Sequence, residues 1–149
     1  MHGMKKKLYI ACALTSVPNS EKSTYMSFID EIKKRASIDY EVIEFLSAIK
    51  KDPNPQDVYS FDMACLEKAH YMLAFLDYPG TGLGYELCQM IQVENKPVLA
   101  LTKDMCHVSK LIRGIKSESF VLDTYNEVND CIGKLTSFVN LYDKKSKNN

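Results

Sequence analysis

Asp77-Tyr78-Pro79-Gly80-Thr81-Gly82-Leu83-Gly84-Tyr85-Glu86-Leu87 stands between an apolar strand and an apolar helix, and it carries the residue types best suited to chemistry. Glycines at alternate positions let a backbone approach a ligand closely. The following helix is predicted from about Leu83, which puts Glu86 in its first turn. There the helix dipole and the unpaired N–H groups favour an ionised, nucleophilic carboxylate. Asp62, on the preceding helix, supplies a second acid. Two carboxylates converging at the carboxyl edge of a sheet suit the cleavage of a glycosidic bond. A lone first-turn glutamate would only stabilise its helix, and the three glycines tilt the balance towards a functional loop. For Asp62 the plain reading, a solvated helix residue, is stronger still, and nothing local tells otherwise.

Two familiar glycine-rich motifs do not fit. A Walker A loop needs lysine and a hydroxyl residue after its last glycine, where Tyr85 and Glu86 stand. A dinucleotide fingerprint belongs in the first strand-to-helix turn, which has no glycine. Cys12, Cys65, Cys88, Cys106 and Cys131 show no CxxC spacing, and His2, His70 and His107 lack ligand spacing, so neither a redox pair nor a zinc site is expected.

Positioning these acids requires an alternating chain. Leu8 to Leu14 is an apolar run that reads as a buried parallel strand. A helix follows from a Ser20 cap to about Ala36, with Tyr25, Phe28, Ile29 and Ile32 at helical spacing. Tyr40–Phe45 is a second strand, and Lys50-Lys51-Asp52-Pro53-Asn54-Pro55 a loop. Then come a helix over Asp57–Lys68, a strand over Tyr71–Leu76, the glycine loop with its helix to about Glu94, and the strand Val98–Thr102. A shorter helix around Val108–Ile115, a strand at Phe120-Val121-Leu122 and a helix over Tyr125–Tyr142 complete the chain. The expected fold is α/β: one flavodoxin-like, doubly wound domain over 1–149, with a five-stranded parallel sheet in order 2-1-3-4-5 and helices on both faces. Ligands in such sheets bind beyond the carboxyl ends of the strands, where the glycine loop lies. Residues 1–4 read as an expression remnant and 143–149 as a flexible basic tail.

Composition narrows the classes. With 149 residues, 46% of them apolar, the chain can bury a sizeable core. Nineteen Lys+Arg balance nineteen Asp+Glu, so no net field draws the molecule to a nucleic-acid polymer or an anionic membrane. Unpaired cysteines and the lack of a signal-like or membrane-length run imply a reduced, cytoplasmic protein. Met90, Ile91 and Met105 suit either core packing or an interface.

The motifs taken together resemble the nucleoside 2-deoxyribosyltransferase superfamily, and within it the deoxynucleoside 5'-monophosphate N-glycosidase branch. The likeness rests on the opening strand with Tyr9, on Asp62-Met63-Ala64-Cys65-Leu66, on Gly-x-Gly-Tyr-Glu-Leu with the later Lys-Pro-Val-Leu, and on Ser109-Lys110-Leu111-Ile112-Arg113-Gly114. It implies that Glu86 attacks the anomeric carbon, that Asp62 holds or protonates the departing base or hydrogen-bonds the sugar, and that Tyr9 positions Glu86. It further implies substrate contacts from Ala11, Thr15, Ser16, Gly80, Thr81, Gly82 and Gly84. Ser109 matches a residue lent to a neighbouring chain's site, which implies a homodimer or higher homo-oligomer. No cofactor or metal is implied. Cys12-Ala13 stands where the family carries Gly-Pro or Gly-Ser. Gly80 stands where transferases place aspartate and monophosphate hydrolases place serine. The expected activity is release of free base from a (deoxy)nucleoside 5'-monophosphate or nucleoside. Base exchange between deoxynucleosides is the enzymatic alternative, and a nucleotide-binding module or a plain interaction domain the non-catalytic ones.

Overall fold

Central strands that are buried along their whole length organise the molecule. The computed structural model describes residues 3–149; Met1 and His2, half of the stretch read as an expression remnant, lie outside the described residues. The elements are β1 (Lys7–Cys12), α1 (Asn19–Ala36), β2 (Glu41–Glu44), α2 (Leu46–Ile49), α3 (Pro55–Lys68), β3 (Tyr71–Phe75), α4 (Thr81–Cys88), β4 (Val98–Thr102), α5 (Lys110–Arg113), β5 (Phe120–Thr124) and α6 (Val128–Lys147). All strand pairs are parallel and the order is β2-β1-β3-β4-β5, as expected from the alternation. Every residue of β3 and β4 is buried, which explains their unbroken apolar runs.

The two faces of the sheet bury different sets. Leu8, Ile10, Leu73, Phe75, Leu99 and Leu101 pack with Ile29 and Ile32 of α1 and Leu135 and Phe138 of α6. Tyr9, Ala11, Met72, Ala74, Val98 and Ala100 pack with Cys65 and Leu66 of α3 and Leu83 and Leu87 of α4. On this second face Ala11 pairs with Ala74 and Ala74 with Ala100, a row of methyl-sized side chains across three adjacent strands. Small residues there let α4 lie close to the sheet, within reach of Tyr9.

The helices depart from the sequence reading in several places. α1 begins at Asn19 behind Pro18, without the expected side-chain cap from Ser20. α4 starts at Thr81, two residues before the expected Leu83, and continues as a π-helical turn over Gln89–Val93. α6 runs from Val128 to Lys147, displaced towards the carboxyl terminus from the expected Tyr125–Tyr142. Met90 and Ile91 are 0% and 5% exposed and belong to the core, not to a surface. Among the described residues no helix is long and apolar enough to cross a membrane.

Candidate active site

Glu86 is the sixth residue of α4, so it sits in the second helical turn and not the first. The dipole effect fades within one turn, and the ionised form therefore receives little help from it. Burial dominates instead and pushes the Glu86 carboxyl up to about 7, with the nearby Tyr9 phenol pulling it back and the Asp62 charge raising it further. The expectation of a carboxylate held ionised by its helix is corrected on this point. Glu86 is poised near neutrality.

Tyr9 is fully buried on β1, and its phenol is driven well above the ordinary range by burial and then by the Glu86 charge. Tyr9 Oη and Glu86 Oε2 are both buried, yet neither has a hydrogen-bond partner in good geometry among the described residues. An unpaired buried polar atom costs about 1–3 kcal/mol, so two of them side by side mark a site built for something else to complete.

Asp62 is 6% exposed, which overturns its reading as a solvated helix residue. Its Oδ1 accepts from the Leu46 backbone N–H at 2.8 Å. Burial raises the Asp62 carboxyl and this bond lowers it, the first effect being larger. Asp62 and Glu86 line one cavity of about 300 Å³, floored in part by Gly82. Val58, Met63 and Pro55 make its wall apolar. Tyr59 and Tyr85, more than half exposed, stand at its rim with ring centroids 6.2 Å apart.

The structure divides the remaining sequence-expected residues. Gly82 belongs to the cavity of the two acids, and a Cβ there would meet nothing within 4 Å. Gly80, Gly84 and Ser109 line a separate cleft of about 290 Å³ between α4 and the segment leading into α5. Ser109 caps α5 by accepting from Ile112 N. Gly80 packs so tightly on β1's following turn that a Cβ would fall 2.9 Å from Ala13 Cβ. Ser16 Oγ donates to the Pro79 carbonyl, tying that turn to the glycine loop, while Thr15 and Thr81 are exposed. Ala11 is 1% exposed, in the small-residue row beneath α4. Tyr59 and the Leu46 amide were not foreseen. Tyr59 lies three residues before Asp62 on one helix, a spacing that shares a face. Among the described residues no group of three or more His, Cys, Asp or Glu side chains is placed to hold a metal ion.

Two carboxyl groups, one raised to neutrality and one buried against an amide, face a single apolar cavity. Comparison with known proteins points the same way. No family model matches the chain. It is 37% identical over 93 residues to a Thermofilum pendens protein named "Putative 2'-deoxynucleoside 5'-phosphate N-hydrolase 1", across 61% of this chain and 64% of that one. A Methanosarcina mazei protein of the same name is 37% identical over 59 residues, across 40% of this chain and 36% of that one. The resemblance to the nucleoside 2-deoxyribosyltransferase superfamily is borne out. The chain thus spans less than two thirds of the length of the curated relatives it matches. A CMP N-glycosidase structure from Clostridium botulinum superposes with a TM-score of 0.63, over 89% of this chain and 99% of that one at 16% identity, which shows that the two share a fold.

Proposed function

We propose that the chain cleaves the N-glycosidic bond of a (deoxy)nucleoside or its 5'-monophosphate, releasing free base. The observation that carries this is the pairing of Glu86 and Asp62 in one cavity, in a chain similar to proteins named as N-hydrolases of deoxynucleoside phosphates. Glu86, ionised, attacks C1' as the bond from C1' to the base nitrogen breaks, and the bonding electron pair leaves with the base. Asp62 donates a proton to that base. Water then attacks C1', returns a proton to Asp62 and frees Glu86 as carboxylate. Tyr9 faces Glu86 throughout and stabilises its charged form.

A second reading is base exchange, supported by the Tyr59–Tyr85 rim, whose rings suit stacking of an acceptor base. A homodimer in which Ser109 reaches a neighbour's site fits the position of that residue outside Glu86's own cavity. The five unpaired cysteines support a cytoplasmic setting. One panel of deoxynucleosides and their monophosphates, with and without an acceptor base, separates hydrolysis from exchange. The Glu86→Ala variant is expected to lose base release while keeping its fold, and mass spectrometry with a slow 2-fluoro nucleoside analogue is expected to find a glycosyl adduct on Glu86. Parent-rate release by the variant removes Glu86 as nucleophile; tight binding with neither adduct nor product indicates a binding module.

A further inference from the structure

The connection between β2 and α3 begins as α2, a turn of helix that the sequence does not announce. Its first residue, Leu46, donates its backbone N–H to Asp62 Oδ1 at 2.8 Å. An oxygen that already accepts from an amide is the poorer seat for a proton, so the acid form carries its proton on Oδ2. Oδ2 has no hydrogen-bond partner among the described residues, and Asp62 lines the cavity together with Glu86. A freely rotating carboxyl would offer two oxygens in many orientations; this one offers one.

Resting on the proposed N-glycosidic cleavage, we infer that the Leu46 amide is a positioning group: it pins Asp62 Oδ1 so that Oδ2 alone carries the proton to the departing base. The bond from C1' to nitrogen breaks with its electron pair going to the base, the Oδ2 proton moves to that nitrogen or its conjugated ring atom, and the attacking water later restores it. The charged and titratable groups facing Asp62 are Glu86 and Tyr85 from α4, Tyr9 from β1, and Tyr59 and Cys65 from its own helix. The amide bond opposes the burial that raises this carboxyl. Without it, Asp62 holds its proton to higher pH and loses its fixed direction.

Leu46→Pro deletes the donor together with the buried leucine side chain. Leu46 is the first residue of α2, a position that accepts proline. Phe45 has φ −71° and ψ 154°, the extended conformation a residue before proline adopts. Leu46→Ala is the companion variant, since it loses the packed side chain and keeps the N–H. The proline variant is expected to release base at least about tenfold more slowly. Its alkaline limb, and the Asp62 titration followed by carbon-13 NMR in the ligand-free protein, are expected to move to higher pH. The alanine variant is expected to keep the parent's limb and titration. An active parent whose Asp62 titrates alike in all three proteins overturns the role of Leu46; a parent that releases no base from any nucleoside defeats the N-glycosidase reading itself. If the proline variant does not fold, Asp62→Asn decides: its amide oxygen still accepts from Leu46 but has no proton to give. It is expected to retain the parent's Tm and lose base release by about a hundredfold or more. Parent-like turnover overturns the inference.

Discussion

At the scale of single residues, the site is where this chain accepts unfavourable electrostatics. Glu86 titrates from an ordinary 4.5 when unfolded to about 7 when folded. Between those values the folded state binds the extra proton, so stability falls as pH rises through that interval and stays lower above it. Glu86→Gln removes the titration. Its Tm is therefore expected to exceed the parent's at pH 8, by the equivalent of about 3 kcal/mol, and to match it at pH 4. An equal gap at both pH values means the glutamate is not strained by burial. Tyr9→Phe tests the partner. The phenol Oη is buried without a well-formed hydrogen bond, so at about pH 5, where Glu86 is protonated, stability is expected to hold or rise by about 1 kcal/mol. The same change deprives Glu86 of the group that lowers it, and the acid limb of base release is expected to shift to higher pH. A limb left in place separates Tyr9 from the nucleophile. The identities of Glu86, Asp62 and Tyr9 were legible as motif residues, but the balance of burial against dipole was not. That balance depends on where α4 begins, two residues from where the apolar pattern puts it.

At the scale of elements, α4 shows the same trade. Gly82 and Gly84 lie within this helix, where glycine costs about 1 kcal/mol relative to alanine. A Cβ on Gly82 has open space, and that space is the cavity of the two acids. Gly82→Ala is expected to raise Tm while lowering kcat/KM for base release. Gly80→Ala places its methyl 2.9 Å from Ala13 Cβ and is expected to cost about 1–3 kcal/mol by overpacking. Thermal melts and steady-state rates on both variants check the contrast: stabilisation of both, or loss of activity only in the second, removes the ligand from the Gly82 side of the helix. The glycine spacing was legible as a functional signal, though it conflates two jobs. Gly80 meets the protein's own turn, and Gly82 faces empty space. Strands β3 and β4 were legible almost to the residue because an unbroken apolar run has one use in a parallel sheet. α2 was not, because its four residues are held by a long-range bond to Asp62 that no local pattern encodes.

At the scale of the whole molecule, Ser109 and Glu86 flank α4 in different cavities, so one chain does not bring them together. The homodimer proposed above would resolve this by setting one chain's exposed cleft residue beside its partner's nucleophile. Ser109 is exposed, and among the described residues its hydroxyl only accepts from Ile112 N, which leaves its hydrogen free to donate. Ser109→Ala is then expected to remove most turnover although the residue is absent from the cavity of the same chain's acids. Mixing supplies the sharper measurement. Glu86→Gln and Ser109→Ala proteins, each nearly inactive, are unfolded together and refolded. Random pairing makes half the dimers mixed, and each mixed dimer holds one site with both native residues. About a quarter of parent activity should return. Recovery tests the sharing itself and not the mere presence of a dimer, because a dimer whose sites each lie within one chain restores nothing on mixing. No recovery, with mixed dimers demonstrated by mass, confines each site to a single chain and makes Ser109 nothing more than the cap of α5.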